Sequence, residues 1–165
     1  MTMTDPVPAL TRLAASFRAP DQPRAALAAL ERASAETIGH ILFTVLLRHE
    51  ETGEVERFWT SHPAEYPVGG RKPMNPTFWT ETVIVGQRPY LGRDYEAVKA
   101  VFFDHELIRS LGCESVLNVP VVWGGRTLGT LNLLHQAGWY EDAHIPLAET
   151  IAALAVPALL MLVDR

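Results

Sequence analysis

Two apolar runs joined by a pair of glycines, SVLNVPVVWGGRTLGTLNLLH from Ser115 to His135, constrain this chain more than any other segment. Alternating and β-branched residues around Gly124-Gly125 predict a tight β-hairpin, because glycine accepts the positive φ that two-residue turns require. With Trp123 and Arg126 closing the turn, regular pairing sets Val121 opposite Leu128, Pro120 opposite Gly129, Val119 opposite Thr130 and Asn118 opposite Leu131. Both faces are then mostly apolar, so the hairpin belongs in the middle of a sheet that is covered on both sides. The same pairing sends Asn118 and Asn132 to opposite faces. An amide buried there needs a partner, since leaving it unpaired costs about 1–3 kcal/mol. Either a neighbouring group or a ligand supplies that partner, and parity leaves open which face is inward.

Composition narrows the class. A chain of 165 residues with 48% hydrophobic and 20% charged content is long enough for one domain with a real core. A net charge of −5 and scattered Lys and Arg, with only Arg71-Lys72 adjacent, argue against a nucleic-acid surface. Asp5, Arg12 and Arg18 interrupt the N-terminal stretch, which therefore does not read as a signal peptide. The longest apolar run, Ile151 to Val163, is shorter than the roughly 20 residues that span a bilayer. A cytoplasmic location without membrane contact is the expectation. The single cysteine, Cys113, has no internal disulfide partner and cannot build a multi-cysteine metal site.

Periodicity predicts a short helix over Pro6 to Arg18 and a second over Gln22 to Ile38, stopped by Gly39. His40 to Arg48 and Val55 to Ser61 read as strands around a turn at Glu51 to Glu54. Pro63 to Pro76 reads as a loop and Thr77 to Val85 as a short helix closed by Gly86. Tyr95 to Phe103 and Glu106 to Leu111 follow as helices. Tyr140 to Met161 reads as a closing helix, with Asp142 at its N-cap and a kink at Pro157. The terminal helices are apolar nearly all round and need cover on several sides. A homodimer through them is expected, the alternative being that Pro6 to Arg18 folds back over the exposed stripe.

The strings S-V-L-N-V-P-V and R-T-L-G-T-L-N-L-L, separated by the Gly-Gly turn and followed by a long C-terminal helix, resemble the last hairpin of a GAF domain. The resemblance covers roughly Arg24 to Val163. It implies an α+β, PAS-related fold: an antiparallel sheet of five to six strands, N- and C-terminal helices on one face, and loops and short helices forming a small-molecule pocket on the other. On this reading residues 1–21 are an N-terminal helix or arm and residues 22–165 are the domain. The resemblance also argues against bilin attachment through Cys113, because bilin-binding members carry a Cys-His pair further upstream. Members that reduce free methionine sulfoxide use several cysteines, and the N-K-F-D-E string of cyclic-nucleotide binders is missing here.

Candidate pocket residues follow from position and chemistry. Tyr66 and Arg71 lie in the Pro/Gly-rich loop that the GAF resemblance implies would close over the pocket, where Arg71 suits a carboxylate or phosphate. Trp79 and Tyr90, with Phe58, Trp59 and Phe78, offer rings for stacking or for the core. Asp104 and His105 form the most chemical-looking pair, with a capping or surface role as the plainer alternative. Asn118 and Asn132 complete the set. No catalytic residue, metal ligand or cofactor is assigned. The leading reading is a dimeric sensory or regulatory domain that binds a small organic ligand and signals to a separate effector protein. The alternatives are an enzyme using Asp104 and His105 in the same pocket, and a structural protein-interaction module.

Overall fold

The computed structural model describes residues 4–163. The first three residues of the expected arm and the last two of the expected domain therefore lie outside the described residues. Six strands form one antiparallel sheet: β1 (Leu42–His49), β2 (Glu54–Thr60), β3 (Arg71–Pro73), β4 (Tyr90–Gly92), β5 (Ser115–Trp123) and β6 (Arg126–His135). Their order is β3-β2-β1-β6-β5-β4, which places the β5–β6 hairpin in the interior of the sheet. The six strands and flanking helices are the α+β arrangement expected from the sequence.

One face is covered by α1 (Val7–Ala15), α2 (Arg24–Thr37), α5 (Ile145–Leu154) and α6 (Val156–Val163). Their buried residues, among them Leu13, Leu27, Leu30, Ile151 and Leu159, join Phe43, Val45, Leu117, Val119, Leu131 and Leu133 in the main core. Burying each such side chain contributes about 1.5–3 kcal/mol. In α2 the buried Ala26, Leu27, Leu30 and Ala33 repeat at helical spacing, and Gly39, at φ +96°, follows the end of the helix. Helix α1 does fold back: its Ala9 and Leu13 are buried, and Leu13 reaches the main core. The closing helix breaks at Ala155 into α5 and α6, which meet at a 51° bend. Pro157 accounts for the break, since it lacks an N–H and its ring crowds the preceding turn. Glu141, rather than Asp142, caps the short turn that leads into α5. Among the described residues no single helix is long and apolar enough to cross a membrane.

The opposite face carries α3 (Tyr95–Lys99), α4 (His105–Ser110) and a wide π-helical turn at Thr80–Val85. A smaller core of Leu42, Tyr66, Val98, Ile108, Cys113, Val116 and Leu134 fills the lower part of this layer. The stretch read as a loop from Pro63 to Pro76 contains the edge strand β3, which pairs with β2.

The hairpin turn is as expected, with Gly124 at φ +60° and Gly125 at φ +76°, both in the left-handed region that a type I′ turn requires. The pairing beyond it is not. Val122 lies opposite Thr127, but Val121 lies opposite Gly129, so Leu128 is an extra residue in β6. This bulge moves every later partner by one. Asn118 consequently faces Asn132, and the expectation that the two amides point to opposite faces is overturned. Gly129 permits the close approach, because a Cβ there would sit 2.0 Å from the Leu46 carbonyl oxygen and 3.0 Å from Leu159 Cδ2. Gly129→Ala must displace β1 backbone. The expected loss is about 3 kcal/mol, read as a fall in Tm of about 6–12 °C in a thermal melt.

Candidate functional site

The two hairpin strands and their neighbours carry one polar row across the face opposite the terminal helices. In register order it runs Tyr90 on β4, Asn118 on β5, Asn132 on β6 and Thr44 on β1. Directly opposed residues of an antiparallel sheet point to the same face with Cβ atoms about 5 Å apart, so these side chains meet. Asn118 Nδ2 donates to Asn132 Oδ1 at 2.7 Å, and Thr130 Oγ1 donates to the same oxygen at 3.0 Å. Asn132 Nδ2 donates to Thr44 Oγ1 at 3.0 Å. From above, Trp79 Nε1 donates to Asn118 Oδ1 at 3.0 Å. Asn118, Asn132, Thr44 and Thr130 are all buried, whereas Trp79 is half-buried.

The segment that holds Trp79 is tied down at several points. The Thr77 backbone N–H donates to Thr80 Oγ1 and the Thr80 N–H to Thr77 Oγ1, while Thr80 Oγ1 donates to the Asn75 carbonyl. Further along, Thr127 Oγ1 donates to the Ile84 carbonyl and Gln87 Nε2 to the Gly125 carbonyl. The π-helical turn is therefore anchored to the same hairpin that supplies the polar row. Turns of this kind are uncommon and recur at functional sites. Phe78, beside Trp79, is exposed and meets Tyr90 edge-on at 6.4 Å.

A second group stands at the other rim. The Arg57 guanidinium lies 3.6 Å above the Tyr66 ring, donates to the Pro67 carbonyl at 2.8 Å, and approaches Asp104 Oδ2 at 3.6 Å. Burial raises the Tyr66 hydroxyl pKa, the Asp104 carboxylate adds to the rise, and Arg57 opposes it. Lys72 sits 4.9 Å from the Phe103 ring, joining the β3 loop to the segment before α4. The loop containing Tyr66 and the turn containing Asp104 are thus linked through two cation contacts.

The structure brings together Trp79, Asn118, Asn132 and Tyr90 in one row, and Tyr66 with Asp104 beside it. Tyr90 uses its hydroxyl to donate to the Ala97 carbonyl, and burial raises its pKa. His105 turns elsewhere: its Nδ1 is 2.7 Å from the Tyr95 hydroxyl, and Arg109 stacks on that same Tyr95 ring. Arg71 lies apart in a cleft of about 380 Å³ with Arg48, Glu50 and Arg126, where its Nε is 3.9 Å from Glu56. Phe58 and Trp59 are also remote from the row. A bulge in the β1–β2 pairing makes Phe58 an extra residue, and both rings pack against the helical core, with Trp59 Nε1 donating to Glu31. That bulge also turns Arg57 to the polar face, a placement that simple alternation along VERFWT does not signal. Thr44 and Thr130 carry no distinguishing signal in the sequence either, since threonine in a strand ordinarily marks only β-propensity. Among the described residues no three His, Cys, Asp or Glu side chains converge as metal ligands.

A family profile describing the GAF domain matches residues 21–159. The chain belongs to the GAF family. Solved structures agree on the fold. The GAF domain of the Acinetobacter phosphoenolpyruvate-protein phosphotransferase is 16% identical, with a TM-score of 0.74 and 96% of each chain covered. Free methionine-R-sulfoxide reductase from Neisseria meningitidis is 14% identical, with a TM-score of 0.72, covering 97% of this chain and 93% of the reductase. A domain of a putative two-component sensor histidine kinase from Sinorhizobium meliloti 1021 is 19% identical, with a TM-score of 0.62, covering 86% and 93%. A comparison with curated proteins found no match. In this GAF domain the polar row lies at the sheet centre, between the Trp79 turn and the Tyr66–Asp104 rim.

Two outcomes are expected at this site. Asn132→Leu removes the acceptor of both Asn118 and Thr130, so it should cost about 2–4 kcal/mol in urea unfolding. The Asn118→Leu/Asn132→Leu double variant should lose at least about 1 kcal/mol less than the sum of the singles, because it removes both partners together. Cys113 is buried, and burial pushes its thiol pKa up to about 11. At pH 8 its thiolate fraction is then about 10⁻³, so a thiol reagent should label the folded protein at least about 100-fold more slowly than the unfolded chain.

Proposed function

We propose that this GAF domain is a sensory module that binds a small organic molecule over the polar row, in the layer between the sheet and the Trp79 turn. One observation carries the reading: four polar side chains, Asn118, Asn132, Thr44 and Thr130, are buried at the centre of a sheet whose opposite face is apolar. Packing alone favours apolar residues there, because every buried polar atom needs a partner. The surrounding groups fit recognition of a ligand. Trp79 and Phe78 offer aromatic faces, and Arg57 with Asp104 marks one rim. GAF domains are generally sensory ligand-binding modules, and the similarity to a sensor histidine kinase domain supports the same role for this chain.

An enzymatic use of Asp104 and His105 finds less support, since Asp104 lies by Arg57 and His105 by Tyr95. A homodimer through the terminal helices has little apolar surface to use. Among the described residues, the large exposed apolar side chains there are Val7 and Met161, because α1 covers part of the helical layer. Signal transfer to a separate effector protein belongs to the same proposal. A thermal-shift screen of the purified chain against nucleotides, amino acids, tetrapyrroles and aromatic acids tests it. A ligand at one hundred times its Kd adds about 2.7 kcal/mol, which corresponds to a rise in Tm of about 5–11 °C. The shift should vanish in Asn118→Leu/Asn132→Leu, and a flat response across the panel counts against the reading.

A further inference from the structure

The donors and acceptors of the buried row do not balance. An asparagine amide nitrogen carries two N–H bonds, and a threonine hydroxyl carries one O–H. Asn118 Nδ2 donates once, to Asn132 Oδ1, and Asn132 Nδ2 donates once, to Thr44 Oγ1. Thr44 accepts that bond, while its own proton finds no acceptor among the described residues. On the acceptor side, Asn132 Oδ1 already takes two bonds and Asn118 Oδ1 takes one from Trp79. Three neighbouring strands therefore present two N–H groups and one O–H without acceptors, at residues that are 0%, 6% and 5% exposed for Asn118, Asn132 and Thr44. On the acceptor side Asn118 Oδ1 and the threonine oxygens each hold at least one open lone pair, but an under-used oxygen is a commoner state in folded proteins than a buried N–H with no acceptor.

Charge near the row points the same way. Arg57 pairs with Leu46, the neighbour of Thr130 across β1 and β6, so its guanidinium borders the row on the polar face. Its nearest carboxylate, Asp104, is 3.6 Å away and already faces that guanidinium. A cationic or donor-rich molecule would meet unused donors and a carboxylate that is engaged elsewhere. An oxygen acceptor would complete the three donors.

Resting on the reading of this face as a ligand site, we propose that the ligand is a small neutral or singly anionic carbonyl or carboxylate compound. Its acceptor oxygens take the free donors of Asn118, Asn132 and Thr44, and its carbon skeleton lies under Trp79. Such a ligand needs no covalent step. Among the described residues the Trp79 indole contact to Asn118 is the one bond that reaches the buried amides and threonines of the row from outside the sheet, which makes it the contact a ligand displaces first.

The test is a titration of the ¹⁵N-labelled full chain, following the side-chain amide cross-peaks of Asn118 and Asn132. The probes are matched fragments: benzoate and benzamide beside benzylamine, phenylacetate beside phenethylamine, and pentanoate beside pentylamine. The oxygen compounds should shift both cross-peaks saturably at millimolar concentration, and the amines at least tenfold more weakly. Thr44→Val, which keeps the side-chain shape, should weaken the oxygen compounds and leave the amines unchanged. Amines that shift these peaks as strongly as the acids and amides overturn the ligand class and leave binding at this face standing. No movement of either peak with any fragment overturns the site itself.

Discussion

Between Thr127 and Gly129, β6 carries one residue more than β5 opposite it, and the chemistry of the sheet face depends on that residue. Strand side chains alternate, so an insertion of one reverses the face of everything beyond it. Leu128 and Gly129 are consecutive on the helical side: Leu128 joins the main core, and a Cβ on Gly129 would meet Leu159 of α6. From Thr130 onward the alternation resumes with threonine and asparagine on the polar side and Leu131 and Leu133 in the core. Without the bulge, Asn132 would enter the helical core and Asn118 would face a leucine. The contact of Gly129 with the Leu46 carbonyl then fixes β1 against β6, which brings Thr44 opposite Asn132.

From this register the rest of the face follows by position. Leu42, Leu134 and Val116 form the next row down, and with Val98, Ile108 and Cys113 they close the lower half of the layer with apolar contacts. Above the row, Thr127 anchors the π-helical turn through the Ile84 carbonyl, so the segment carrying Trp79 is tied to the bulged strand itself. At the side, the extra residue Phe58 in β2 turns Arg57 toward Tyr66 and Asp104. Two bulges thus place the amides and the guanidinium on one face. Bulges beside binding sites commonly re-aim a side chain in this way.

The sequence made the architecture legible because its strongest signals are local. The Gly-Gly turn, the strands on both sides of it, the stop at Gly39 and the break near Pro157 each arise from signals within a few residues, and each appears in the structure near its expected place. The site was only partly legible. Asn118 and Asn132 stood out because polar residues in apolar strands demand partners, and Trp79 because its ring suits stacking. Their mutual contact did not, because Leu128 looks like any strand leucine and its extra count emerges only from the contact of Gly129 with β1. Arg57, Thr44 and Thr130 were hidden for the same reason, each being ordinary in its own strand. Arg71 failed to join the row because β3 pairs at the far edge of β2, a long-range outcome that a Gly/Pro-rich loop does not announce.

Stability by itself does not explain the polar row. Each hydrogen bond there contributes only about 0.5–1.5 kcal/mol net, and an apolar set of the same shape would bury more hydrocarbon without any partner to satisfy. The network also stops short of completion, with two amide protons and one hydroxyl proton on buried side chains left without acceptors among the described residues. A purely structural network gains rigidity by satisfying every member, and a half-satisfied one is worse than an apolar core. The incomplete satisfaction lies on the side of the sheet closed by a half-buried tryptophan rather than by a continuous helix layer. Unused donors under a removable cover are what a face needs if its last hydrogen bonds are to be made by a molecule that comes and goes.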